Sequence, residues 1–306
     1  MGIDTHALYF LRCVKSKQPL GDVITIGRQR LDVVEATVKK VVGAGPSYKN
    51  QPYCEDLLRE YFGATKVDSL DNSSFENATH VHDMNGPLPE RLYQKYDTVI
   101  DGGSLEHVYN VPQALKNCSH LCKPGGQILH FSPANNFCGH GFWQLSPELF
   151  FSLYSAKNGY RDTEVLIADL SDATKWYKVK EPKGGRRVVV YSLTRLNVLA
   201  RTVLQRADFS HSSVQQSDYV FEWGNSLPTA SRPDLESAAR KQKLKAIPLL
   251  YPLLAPLYHH YLCSKAKTGL NGKNPGLSVV DIRSCLYSHR SCFIVLQAWV
   301  CVPGWF

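Results

Sequence analysis

Long apolar runs are missing from this chain of 306 residues. No stretch reaches the ~18 to 20 apolar residues that a membrane-spanning helix needs. The longest candidate, Ala246 to Leu262, is broken by Pro248, Pro252 and Pro256, each of which removes an intrahelical donor. Cys292 to Pro303 is apolar but shorter still, and both segments suit packing against the protein's own core, a partner or a membrane surface. Cysteine is also sparse. Nine in the whole chain is far below the density of a disulfide scaffold, and the odd number leaves at least one thiol unpaired. A reducing, cytoplasmic setting is therefore expected. Met1-Gly2-Ile3-Asp4-Thr5-His6 has no basic segment followed by an apolar run, and His6 stands where a myristoylation signal wants Ser or Thr. The sequons at Asn72, Asn77 and Asn117 carry no weight in such a chain.

Several catalytic signatures are absent as well. There is no phosphate-binding P-loop and no Gly-x-Ser-x-Gly nucleophile elbow. Cys118, His120 and Cys122 fall on one predicted helix whose apolar face needs both cysteines. His259-His260, and Cys285 with His289 and Cys292, lack a paired ligand motif, so no metal is expected. Charge of one sign is not scarce enough, nor apolar content low enough, for a disordered chain: 43% of residues are apolar and 20% charged. Lys and Arg outnumber Asp and Glu by 35 to 27, a net +8 that does not by itself imply nucleic acid.

What is present is an alternation of short apolar runs with helix-period segments, the signature of βαβ units and a parallel sheet. Strands are predicted at 22–27, 65–70, 79–82, 97–100, 127–131, 164–168 and 187–193. Leu31 to Val42, Pro52 to Phe62 and Val111 to Cys122 carry apolar residues at helical spacing and end on glycine or on Pro124-Gly125-Gly126. Ser146-Pro147-Glu148 opens a further helix, with serine as cap and proline in the first turn. Beyond Arg195 the pattern weakens. Residues 178 to 267 hold 15 Lys and Arg against 6 Asp and Glu, with a dense run at Arg240-Lys241-Gln242-Lys243-Leu244-Lys245. Residues 1–195 thus form the expected α/β domain, and 196–306 a basic, partly helical C-terminal extension. Its run reads as a solvated helical face, or as a dock for an anionic or lipid-linked partner.

Seven strands, the last antiparallel, describe a doubly wound, mostly parallel sheet that binds ligands at the carboxyl ends of its strands. Asp97-Thr98-Val99-Ile100-Asp101-Gly102-Gly103-Ser104-Leu105-Glu106-His107-Val108, then Ala114-Leu115, then Lys123-Pro124-Gly125-Gly126 before a strand, resembles class I S-adenosylmethionine-dependent methyltransferases. The resemblance covers roughly residues 20 to 195. It implies a Rossmann-like fold, S-adenosylmethionine as cofactor and methyl transfer, while the polar, aromatic loop Asn135 to Gln144 fits a small or carbohydrate-like acceptor. Asp71, with Asp68 as rival, resembles the acid that accepts from the ribose hydroxyls. A carboxylate suits that position because it accepts two hydroxyl donors at once, whereas a turn-forming aspartate needs no ligand. Asp83 resembles the group that meets the adenine, with Met84 flanking the ring; its other reading is a turn cap. Asp101 and Gly102 complete the implied cofactor set.

The sequence departs from the family after the first strand. Thr25-Ile26-Gly27-Arg28-Gln29-Arg30 keeps only Gly27 of the usual alternating glycines, which let backbone approach the cofactor. Arg28 offers a guanidinium for the cofactor's carboxylate in their place. Methyl transfer chiefly needs two aligned substrates, and a base helps when the acceptor is a hydroxyl. His107 and His140 are the candidate bases, each also readable as a structural histidine. Glu106, Asn135, Asn136 and Gln144 are candidate acceptor contacts, in loops rich in polar and aromatic groups. The rival expectation is a methyltransferase-like binding protein that has lost the cofactor.

Overall fold

The computed structural model describes residues 2–45, 47–182, 188–212, 214–224, 254–257, 260–261 and 269–284. The run at Arg240 to Lys245, the segment Cys292 to Pro303, His259 and the trio Cys285, His289 and Cys292 lie outside the described residues, as does most of Ala246 to Leu262. Among the described residues no helix is long and apolar enough to cross a membrane.

The chain opens with a short strand, β1 (Gly2–Ile3), and a helix, α1 (Thr5–Lys17), that the sequence analysis did not anticipate. Asp4 caps α1 by accepting from the Ala7 amide at 2.8 Å, and Lys15 and Lys17 lie at the negative end of its dipole. Ala7, Leu8, Leu11 and Val14 are buried along one stripe, which ties the helix to the sheet. Cys54, Cys118 and Cys122 are buried thiols and Cys138 an exposed one.

The main strands follow as β2 (Gly21–Ile26), β4 (Ala64–Asp71), β5 (His80–Val81), β6 (Tyr96–Asp101), β7 (Cys122–Asn135), β8 (Tyr160–Asp169), β9 (Lys175–Val179), β10 (Leu196–Leu204) and β11 (Leu277–Asp281). They form one sheet in the order β11-β9-β8-β10-β7-β6-β2-β4-β5. Strands β5, β4, β2, β6 and β7 run parallel, while β10 lies antiparallel between β7 and β8. Without the two edge strands β9 and β11, the seven remaining strands take the order 3-2-1-4-5-7-6 in chain numbering. This is the doubly wound, mostly parallel α/β architecture that the sequence pattern implies.

Helices cover both faces. On one side α1, α2 (Glu35–Val42) and α3 (Glu55–Phe62) pack over Val23, Ile100 and Leu129. On the other, α4 (Val111–Leu121) and α5 (Pro147–Leu153) pack over Ile24, Val99 and Ile128. Alternate residues of one strand thus serve opposite cores, as a strand buried on both faces requires. The expected stops are present: Gly43 and Gly63 close α2 and α3 at φ of 69° and 75°. Ser146 caps α5, accepting from the Glu148 amide at 3.3 Å.

Three boundaries differ from the sequence reading. Helix α2 starts at Glu35, because β3 (Arg30–Leu31) pairs with β1 instead of entering the helix. The strand expected at 187–193 falls at Leu196–Leu204: the β-branched run Val188 to Val190 reads as a strand in isolation, but β7 and β8 both pair with the later and more deeply buried segment. The division after residue 195 therefore falls just before a strand inside the sheet. The stretch assigned to the extension also supplies an edge strand, β11, beside β9.

Candidate functional site at the carboxyl edge of the sheet

Parallel register brings the ends of β2, β4, β6 and β7 together: Ile26 lies beside both Leu70 and Asp101, and Asp101 beside His130. After β2 the chain turns at Gly27, whose φ is 71° and whose amide donates to the Leu70 carbonyl at 2.7 Å. Gln29 then points inward and is only 2% exposed. Its Nε2 donates to the Ile26 carbonyl at 2.6 Å and to Ser104 Oγ at 3.2 Å, so it joins the loop after β2 to the loop after β6. A Cβ at Gly102 would overlap Gln29 Oε1, which explains the bare glycine there. That Oε1 is buried and has no hydrogen-bond partner. Gln29 is a site residue that the sequence reading missed. Its only signal was its place in a loop where glycine was expected.

The five cofactor candidates on this side of the strand ends separate cleanly. Asp71 ends β4 at the edge, half-buried, with one oxygen accepting from the Ser73 amide at 3.4 Å. Asp68 instead accepts from the Tyr96 hydroxyl at 2.8 Å, and Tyr96 opens β6 at the opposite end of the sheet. It is removed from the ribose role by position. Asp83 takes both the Asn85 amide at 2.9 Å and Asn85 Nδ2 at 2.8 Å, the turn cap of its second reading, and these bonds hold its carboxyl below the usual range. Met84 is buried in the core, and its carbonyl accepts from Asn117 Nδ2 at 3.2 Å, so it forms no exposed ring platform. Arg28 is committed as well: Nε donates to Glu55 Oε1 at 2.6 Å, one terminal nitrogen donates to the Glu76 carbonyl at 2.8 Å, and the guanidinium lies 4.0 Å over the Tyr53 ring. It points away from a free carboxylate-binding role.

Asp101 is wholly buried and anchors the loop that follows it. One oxygen accepts from the Ser104 and Leu105 amides at 3.0 and 3.2 Å; the other lies 2.9 Å from His130 Nδ1, whose Nε2 is 2.7 Å from the Tyr154 hydroxyl. This network shapes the loop and does not face solvent.

Beyond β6 the loops bring Glu106, His107 and His140 together. Glu106 is 1% exposed, and its Oε1 lies 3.8 Å from His107 Nε2 and 3.5 Å from His140 Nε2. Its Oε2 is buried with no partner. Burial, then the nearby Asp101, pushes the Glu106 carboxyl up to about 8. Burial, then His140, lowers the His107 imidazole. The two imidazoles meet edge to face at 5.0 Å. One ligand atom from each of the three residues lies within 4.8 Å of the others, a grouping that sequence spacing did not suggest.

The loop after β7 is tied to this cluster. The Phe142 and Trp143 amides both donate to the Glu106 carbonyl, at 2.7 and 3.2 Å, and Trp143 Nε1 donates to the Val108 carbonyl at 3.0 Å. Gly141, at φ 70°, has no room for a Cβ, which would stand 2.8 Å from the Glu106 oxygen. Asn136 braces the loop by donating to the Ser192 and Thr194 carbonyls, and Gln144 by accepting from the Phe137 amide. Asn135 ends β7 opposite Leu196. These three act on the loop's shape. Tyr109 and Phe142 stand 74% and 68% exposed in edge-to-face contact, with Trp143 beside them, and form an aromatic rim.

The sequence matches no protein-family model and no curated protein. Solved structures with a related chain path include the trans-methyltransferase CalH in complex with SAH, at 15% identity over 64% of this chain and 54% of that one, with a TM-score of 0.34. They also include the YcgJ protein from Bacillus subtilis, at 11% identity over 66% and 100%, with a TM-score of 0.37. A SAM-dependent methyltransferase from Thermotoga maritima shows 13% identity over 66% and 91%, with a TM-score of 0.34. This chain spans about half the length of CalH. Likeness at this level carries no inference about activity.

Proposed function

We propose that this chain is an S-adenosylmethionine-dependent methyltransferase that acts on an oxygen of a small or carbohydrate-like acceptor. The observation that carries the reading is the arrangement along one sheet edge: Asp71 at the end of β4, the buried Gln29 and Gly102 in the middle, and Glu106, His107 and His140 beyond them. The residues present fit the cofactor. Gln29 Oε1 is a buried acceptor without a donor, which suits the cofactor's ammonium, and the half-buried Asp71 carboxylate suits a pair of ribose hydroxyls. When bound, the cofactor supplies a methyl group on a sulfonium.

The protein's own contribution is alignment and proton handling. A neutral imidazole is the form that can accept a proton, and burial keeps His107 in that form around neutral pH. His140, on the loop from the far side, completes the wall against which an acceptor hydroxyl rests. The aromatic rim of Tyr109, Phe142 and Trp143 offers flat apolar faces of the kind that pack on a sugar ring. The basic run at Arg240 to Lys245 extends the reading to an anionic or lipid-linked acceptor.

Calorimetric titration with S-adenosylmethionine and S-adenosylhomocysteine, on the unaltered chain and on Asp71→Ala, tests the reading. Micromolar binding that weakens about tenfold or more in the variant supports it. No heat at millimolar cofactor overturns it in favour of a partner-binding protein that has lost the cofactor.

A further inference from the structure

We infer that Glu106, His107 and His140 form a divalent-cation site, and that the cation binds the acceptor's oxygen. Two imidazoles and one carboxylate make a mixed N/O donor set suited to Mn²⁺, Fe²⁺, Co²⁺ or Zn²⁺, with further positions open for water or substrate. The donor atoms of this set are already grouped within 4.8 Å. Neighbouring ligands around such an ion stand ~3 Å apart when each bond is ~2.1 Å. The Glu106 to histidine separations of 3.5 and 3.8 Å need only a small contraction, and both histidine side chains are 40% or more exposed.

A second observation points the same way. Glu106 is buried to 99% and carries an oxygen, Oε2, with no hydrogen-bond partner. A cation is the partner that this geometry lacks. The backbone around it is built and not accidental: the loop carrying His140 is fastened to the Glu106 carbonyl by two amides, through a glycine that alone fits there.

The identity of the outer ligand rests on the methyltransferase reading; the cation site itself does not. With the ion bound, the imidazole lone pairs are spent on it, so His107 changes from base to ligand. A hydroxyl coordinated to the ion loses its proton to solvent more readily than a free one. Two adjacent hydroxyls of a sugar would occupy two neighbouring open positions, beneath the aromatic rim.

The test uses the full chain after treatment with a chelator. Co²⁺ is titrated while its visible absorption is followed, and Mn²⁺ binding is followed by electron paramagnetic resonance. One equivalent is expected to bind, with affinity about tenfold or more weaker in His107→Ala, His140→Ala and Glu106→Gln. Thermal melts of the variants separate lost ligation from lost folding; His140→Ala, at an exposed position, keeps the test readable if Glu106→Gln fails to fold. No spectral change, or binding equal in all variants, overturns the site. Cofactor calorimetry on the same samples keeps the two readings apart. Cofactor binding without cation binding leaves the methyltransferase reading standing and removes this one, and the converse result does the opposite.

Discussion

Asp101 Oδ2 and His130 Nδ1 lie 2.9 Å apart with neither side chain exposed to solvent, at adjacent positions of two central parallel strands. The contact is the inner half of a network that ends at Tyr154 and, through the other Asp101 oxygen, fixes the loop bearing Glu106 and His107. Asp101→Ala removes the acceptor of two backbone amides and leaves His130 Nδ1 without its carboxylate partner. A loss of about 3 kcal/mol in urea denaturation is expected, because several buried polar groups are left without a partner. A loss below about 1 kcal/mol would show that the network does not anchor the loop.

Arg28 is held by Glu55, the Glu76 carbonyl and the Tyr53 ring, so it has little to offer a cofactor carboxylate. Arg28→Ala is expected to leave cofactor affinity within about twofold while lowering stability by about 1 kcal/mol, as for a partly exposed pair. Calorimetry and denaturation on the same variant check both halves. A tenfold loss of affinity would restore the role that the sequence suggested for it.

Burial, then Lys116 and His120, lowers His211 to about 4. Its Nε2 lies 2.8 Å from the Tyr160 hydroxyl. An unfolded chain takes up a proton on this histidine at about 6.5, so between those values the unfolded state binds more protons and stability rises with pH. The stability is fully present above about 6.5 and is lost as pH falls toward 4. Unfolding free energy should drop by about 2 kcal/mol between pH 7.5 and 4.5, and this component should vanish in His211→Gln. A pH profile identical in the variant would refute it.

Gly141 sits at φ 70° against the Glu106 carbonyl. Gly141→Ala adds a backbone strain of about 1 to 2 kcal/mol and drives the His140 loop off the cluster. Methyl transfer should fall about tenfold or more with cofactor affinity unchanged, read by single-turnover activity beside calorimetry. Cofactor affinity falling in step would place Gly141 in the cofactor site instead.

Much of the fold was legible because it is local. Gly43, Gly63 and Ser146 stand where helices stop and start, and the runs at Val23, Val99 and Ile128 are apolar on both faces, as central parallel strands must be. Helix α1 and the pairing of β1 with β3 were not, since their stability comes from docking onto the sheet. The last core strand was misplaced for a related reason: Val188 to Val190 and Leu196 to Leu204 have similar propensity, and only the partners β7 and β8 choose between them.

For the site, the order of residues alone placed Asp71, Asp101, Glu106 and His107 at the ends of strands β4 and β6, because a strand end is set by where an apolar run stops. The direction of each side chain was decided only by the tertiary structure. Asp68 and Asp71 are three residues apart on one strand, yet one serves Tyr96 at the far end of the sheet and the other stands half-buried at the strand's carboxyl end. Gln29 bridges the loops after β2 and β6 because Gly102 and Ser104, over seventy residues later, left room and a hydrogen bond for it. His140 joined Glu106 through a loop whose course is set by two amides on one carbonyl. Contacts between residues distant in the chain carry no local signature, and the chemistry of this site is made of such contacts.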